Sequence, residues 1–229
     1  MDKNKSFTLA EVLITLVIIG IIAAITVPMI MANHKRTEYS ARLKKFYSTM
    51  SNAVKLAETE WGMPAYEWDY SIGAKEVFEK YLAKYLNCTL GEVKEIEYED
   101  GYGFAPMDSE LSYINIYPAC FLNDGTFFGF YNMTGSTSRS GMTFDFDLNG
   151  WKNPNKQGRD IFSFQIGIAG DPSNSASENI CHGFVPMTID ECGGFNEGYT
   201  REETISHCNS GNYSCTYLLF LDGWEFKND

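Results

Sequence analysis

The spacing of apolar residues changes along this chain, and each change marks a different kind of element. From Phe7 to Ala32 the only charge is Glu11, and the stretch from Val12 to Ala32 is apolar on every side. As a helix rising about 1.5 Å per residue, this segment reaches roughly 39 Å, enough to cross a hydrocarbon core of about 30 Å. Beyond it Tyr39, Leu43, Phe46, Met50, Ala53, Ala57 and Trp61 recur at steps of three or four with Lys and Glu residues between them. That is one face of an amphipathic helix. Gly62, Met63 and Pro64 supply the stop, so the pattern predicts one N-terminal helix of about 55 residues, greasy in its first half and one-sided in its second.

A second helix is expected from Ala74 to Leu86, with Val77, Phe78, Tyr81, Leu82, Tyr85 and Leu86 at helical spacing. The period then falls to two. Leu111 to Tyr117, Thr126 to Tyr131, Met142 to Leu148 and Ile161 to Ile168 are rich in aromatic and β-branched residues, with turns at Asn123-Asp124-Gly125 and Asn149-Gly150. An antiparallel sheet of about four strands follows. One apolar face of such a sheet needs a cover, and the amphipathic half of the long helix is available, which gives an α+β fold. The last apolar stretch, Thr216 to Leu221, fits a strand or a short helix; periodicity does not decide. Ser136 to Ser140 reads as a polar loop.

Length and charge narrow the class. Of the 229 residues, those beyond the apolar segment are enough for one head domain with its own core. The formal net charge is -12. An acidic head repels phosphate backbones, so direct nucleic-acid binding is disfavoured. Lys35, Arg36, Arg42, Lys44 and Lys45 cluster just past the apolar segment, where positive side chains contact lipid headgroups or face solvent on a helix.

All six cysteines, Cys88, Cys120, Cys181, Cys192, Cys208 and Cys215, lie beyond the apolar segment. Their even number suits an oxidising compartment and up to three disulfides, with the pairing left open. Four crowd into a glycine-rich C-terminal stretch, where stapling would substitute for core. Cys181-His182 and His207-Cys208 offer zinc ligands, but neither pair has a CxxC or HxxxH spacing.

The start of the chain is informative in another way. Basic Lys3 and Lys5 and the small residue Ser6 precede the apolar run instead of following it, so cleavage after Ser6 would leave the helix on the product. A carboxylate within a membrane helix costs about 2.5 to 3.5 kcal/mol, so Glu11 calls for a partner, and a freed α-amino group on Phe7 of a neighbouring subunit is the nearest candidate. These residues resemble the class III leader of type IV prepilins and type II secretion pseudopilins: a short basic leader, cleavage before Phe, then Thr-Leu and a glutamate four residues after that Phe. Ser6 stands where the family usually has Gly. Gly20 and Pro28 fall where the family's long helix is softened or kinked.

The resemblance implies a prepilin peptidase that cuts between Ser6 and Phe7 and N-methylates Phe7. It also implies other pilin or pseudopilin subunits as polymer partners and an assembly platform in the inner membrane. The expected organisation is a leader at 1–6, a transmembrane assembly helix at 7–33, its amphipathic continuation at 34–62, and a head at 63–229 with a cysteine-rich region from about 174. Loss of the leader, with Lys3 and Lys5 against Asp2, takes the charge to -13. The stored form would be a single-pass inner-membrane protein with an extracytoplasmic head, passing into a pilus or a periplasmic pseudopilus.

The run Asp145-Phe-Asp147-Leu-Asn149-Gly150, continuing to Gly158-Arg159-Asp160, places oxygen ligands at alternate positions before a Gly, like the first half of a calcium loop. Lys156 occupies the place of an EF-hand's bidentate Glu, and a strand precedes the loop, which argues against an EF-hand; Asp160 offers a later carboxylate. The run also resembles the DxNG, PN and GxD pattern of pseudopilin-like heads, among which major pseudopilins bind calcium in a loop. Two readings stand: a structural calcium held by Asp145, Asp147, Asn149 and Asp160, or a hairpin turn whose acids are solvated or capping. No GxSxG, HExxH, GxGxxG or P-loop is present, and the histidines are His34, His182 and His207. The expectation is a non-enzymatic structural subunit that needs no cofactor for catalysis. The alternatives are a minor, initiating or competence pilin, or a membrane-anchored binding module that never polymerises.

Overall fold

Thr8 starts the long helix. A computed structural model of the chain describes residues 8–98, 101–133, 140–152, 155, 157–169, 179–188, 198–209 and 213–227. Helix α1 runs from Leu9 to Trp61, and Gly62 closes it in the left-handed conformation at φ 65°, which costs a residue without a Cβ little. Pro28 lies inside α1 without ending it. Residues 8–38 are all exposed; from Tyr39 onward one face sinks into the head. Helix α2, Ala74–Tyr81, is shorter than expected, because Leu82 leaves the helical conformation and the chain continues as a 3₁₀ turn over Ala83–Tyr85.

Among the described residues the sheet has seven strands, where the sequence pattern predicts about four: β1 Cys88–Tyr98, β2 Gly101–Ala105, β3 Asn115–Leu122, β4 Phe127–Met133, β5 Ser140–Asp147, β6 Ile161–Ala169 and β7 Asn179–Pro186. They pair in the order β2-β1-β3-β4-β5-β6-β7, antiparallel throughout. The expected strand at Leu111–Tyr117 begins only at Asn115, and Leu111 to Ile114 form an irregular connection instead. After a polar helix α3, Arg201–Asn209, the stretch left open between strand and helix is helix α4, Cys215–Leu221.

The core lies between α1, α2 and one face of the sheet. Leu43, Phe46, Met50, Ala53, Val54 and Ala57 form the buried stripe of α1. Phe46 is its centre: its ring stacks on Phe146 at 3.9 Å and meets Phe128, Phe164 and Phe184 edge-on or tilted. Phe78 of α2 stacks on Phe130 at 4.4 Å. The C-terminal segment closes the same core, with Trp224 4.8 Å from Tyr47 and its carbonyl accepting from the Ser40 hydroxyl. The outer face carries a second, smaller cluster of Val93, Phe104, Ala119, Phe127 and Ile161, over which β2 curls. Cys88–Cys120 ties β1 to β3, and Cys208–Cys215 ties α3 to α4.

Candidate functional site

Two regions carry the chemistry that the sequence singles out. The first is the exposed half of α1. Leu13, Ile18, Ile22, Ile25 and Ile30 stand free on all sides of it, and among the described residues no side chain before Tyr39 is sheltered by the head. This helix is long and apolar enough to cross a membrane. At its start Thr8 and Glu11 form a reciprocal cap: the Thr8 amide and hydroxyl donate to Glu11 Oε2 at 2.8 and 2.9 Å, and the Glu11 amide donates to Thr8 Oγ1 at 3.3 Å. The Glu11 carboxylate therefore has partners within its own subunit, an arrangement the Thr-x-x-Glu spacing could have signalled. Gly20 and Pro28 sit within the uninterrupted helix. Ser6 and Phe7 lie outside the described residues.

The second region is the loop between β5 and β6. Phe144 and Phe146 point into the core, so Asp145 and Asp147 alternate to the opposite face of β5. Asp147 Oδ1 accepts from the Asn149 amide at 3.0 Å, a local turn of the Asx kind. Asp160 Oδ2 accepts from Asn149 Nδ2 at 2.8 Å and from the Asn155 amide at 2.9 Å. The Leu148 amide donates to Asp160 O at 2.8 Å, and Arg42 of α1 reaches the Leu148 carbonyl at 2.9 Å. Gly150 and Gly158 have φ of 67° and 76°. A Cβ on Gly158 would stand 2.6 Å from Cys215 Sγ, so the Cys208–Cys215 disulfide braces the loop only because that position is glycine.

Asp147, Asn149 and Asp160 are thus gathered at one place. Asp147 and Asp160 are buried, and among the described residues Asp147 Oδ2 and Asn149 Oδ1 are buried with no hydrogen-bond partner. Burial pushes the Asp147 carboxyl up to about 8; the Asn149 and Gly150 amides pull against that and the Asp160 charge adds to it. The two orphaned oxygens belong to residues that adjoin a second carboxylate, and oxygen donors of this kind suit a hard cation. Asp145 belongs to a different group. Its Oδ1 accepts from the Ser163 hydroxyl, which in turn accepts from Gln157, and Glu95, Tyr131 and Tyr213 line the same small recess. Burial raises its carboxyl to about 7 against the Ser163 bond. Among the described residues no cluster of three Asp, Glu, His or Cys side chains suited to a metal is present; the loop offers two carboxylates and an amide oxygen. Asn153, Pro154 and Lys156 lie outside the described residues.

Cys88, Cys120, Cys208 and Cys215 are consumed in disulfides, and Cys181 is disulfide-bonded as well; Cys192 lies outside the described residues. Cys181 and Cys208 are therefore not thiolates, which removes the paired Cys-His zinc donors the sequence offers. His182 instead meets Tyr66 edge-on at 5.9 Å, and His207 lies 5.7 Å from Tyr199. The Arg42 anchor and the Glu95 and Ser163 partners of Asp145's surroundings were not legible beforehand, since each comes from an element distant in sequence.

No curated protein and no solved structure matches this chain. A model described as the prokaryotic N-terminal methylation motif matches residues 1–27, the segment that holds the basic leader, Phe7 and Glu11. A second model, described as a family of unknown function, DUF6613, matches residues 29–229, from the middle of α1 through the whole head. The chain belongs to that family, and it carries in front of the family's head the class III prepilin signature of type IV pilins and pseudopilins.

Proposed function

We propose that this chain is a structural subunit of a type IV pilus or a type II secretion-like pseudopilus, cleaved before Phe7 by a prepilin peptidase, methylated there and polymerised through α1. One observation carries the reading: a single helix whose first half is apolar and wholly exposed continues without a break into a second half that is the spine of the head. In a membrane the first half faces lipid; drawn into a filament, it exchanges lipid for the same halves of its neighbours while the heads form the outside. The head then stands on the extracytoplasmic side, where its disulfides persist. Subunit packing is the function, and catalysis has no part in it.

The Asp147, Asn149 and Asp160 cluster supports a structural calcium in this role. Calcium would satisfy the orphaned Asp147 and Asn149 oxygens and lock the β5–β6 loop to α1 through Leu148 and Arg42. Intact mass of the protein from its native membrane tests the main reading. The expected chain begins at N-methylated Phe7 and gains six hydrogens on reduction, as three disulfides require. A chain that still carries Met1 to Ser6 in cells with active prepilin peptidase would overturn it in favour of an anchored module that does not polymerise.

A further inference from the structure

The head has an apolar hole at one end of the β1–β3 ribbon and an apolar knob at the other. The hole is a cavity of about 370 Å³ between α1 and the β3–β4 turn, floored by Phe46, Met50, Leu122 and Phe128, with two cations, Arg42 and Lys45, and one acid, Asp124, among its charged lining. Arg42 is held by Glu38 at 2.7 Å and by the Leu148 carbonyl, but the Lys45 side chain is 75 % exposed and reaches its nearest carboxylate, Asp124, only at 3.9 Å. The knob is the connection from Pro106 to Ile114. Leu111, Tyr113 and Ile114 there are 55, 51 and 47 % exposed, and the acids Asp108 and Glu110 beside them are exposed too.

The knob is not slack chain. Lys94 Nζ donates to Ser109 O at 2.7 Å and lies 5.1 Å from the Tyr113 ring, and the Ile114 amide donates to Glu95 O at 2.9 Å. It therefore presents its apolar side chains without a large ordering cost. In β3 Asn115 abuts the knob and Leu122 lines the hole, a run of about 23 Å at strand rise. One rigid ribbon holds them apart, so a subunit's knob cannot fill its own hole.

We propose that the knob of one copy of this chain docks in the hole of the next, with Leu111 entering the cavity and Glu110 meeting Lys45. The contact joins two different patches, so it is head-to-tail and propagates as a helical array. Charge selects the occupant. Chains of net charge -12 repel one another in general, and α1 past the membrane segment offers a cluster of cations against which an acidic knob can register. The inference rests on the reading of the chain as a polymerising subunit and supplies the contact between heads.

The test places the photoreactive side chain p-benzoylphenylalanine at the exposed Leu111 of the full-length chain in its native membrane. A dimer is expected in which the second copy is modified between residues 42 and 50 or 122 and 128. Its yield should fall about tenfold with Lys45→Glu and return when Glu110→Lys is added, as a paired contact requires. A modification mapping elsewhere, or no dimer in either the membranes or the filaments that hold the cleaved chain, overturns the docking. The two readings fail separately. Filaments without the Leu111 dimer retire the docking alone, whereas a Leu111 dimer mapped to the hole in cells without sedimentable filaments retires polymerisation alone.

Discussion

Asp147 shows how a single buried carboxyl couples this head to its medium. In the folded chain burial keeps it protonated up to about pH 8, whereas an unfolded chain releases that proton near pH 4. Between those limits the folded state holds the extra proton, so stability is greatest at the acidic end and falls as pH rises toward 8. Asp145, raised to about 7, contributes with the same sign. Calcium held as proposed would reverse the slope, because it would bond the carboxylate form only. Thermal melts at pH 5 and pH 8, each with chelator or with calcium, read this directly. The chelated protein should melt lower at pH 8, with about 2–4 °C for each kcal/mol in a head of this size, and calcium should restore the loss. Asp147→Asn should reduce the pH dependence to the share that Asp145 leaves and abolish the calcium response. A variant that responds to calcium as the parent does would exclude Asp147 as a ligand.

At the scale of elements, what the sequence revealed depended on whether an element's own pattern or its neighbours' decided its form. Helix α1 was legible almost to the residue, because Leu43, Phe46, Met50, Ala53 and Ala57 repeat without interruption and all are buried. β4, β5 and β6 were legible for the same reason, each carrying alternating Phe residues. β1 was not: Glu92, Lys94, Glu95 and Glu97 make it look like a solvated acidic run, and only pairing with β2 and β3 buries Val93 and Ile96 on its two faces. β2 is rich in glycine, and β7 is interrupted by Gly183 and ends at Pro186, so both rest on tertiary context. Of the loop residues, Asp147 and Asn149 were placed by a local turn that sequence shows, while the separation of Asp145 was set by Ser163 on the next strand. The α1 stripe also fixes where the head is most sensitive. Phe46 is 4 % exposed and touches four other aromatic rings, so Phe46→Ala should cost about 3–5 kcal/mol. Denaturant unfolding of the two proteins measures it, and a difference below about 1 kcal/mol would mean that the sheet does not depend on α1 for its cover.

At the scale of the whole molecule, the chain is two solvation problems on one rod, and Glu11 lies at the far end of the part that meets lipid. Its carboxylate is already accepted into the Thr8 cap, so removing it has two separable consequences: a weakened helix start and the loss of a charge that a neighbour's amino terminus can meet. Capping is worth about 0.5–2 kcal/mol and is a property of one chain; pairing in lipid would be a property of the proposed polymer. Thr8→Ala removes the hydroxyl of the cap and keeps the charge, while Glu11→Gln keeps a polar acceptor for the cap and removes the charge. If pairing governs docking, Glu11→Ala and Glu11→Gln should both leave insertion and leader cleavage intact and cut the sedimentable filament sharply, with Thr8→Ala near the parental yield. If the local cap governs it, Thr8→Ala should fall with Glu11→Ala while Glu11→Gln survives. Membrane level, cleaved fraction and filament fraction of the same four cultures decide between the two, and normal filament yield in Glu11→Ala would refute both roles.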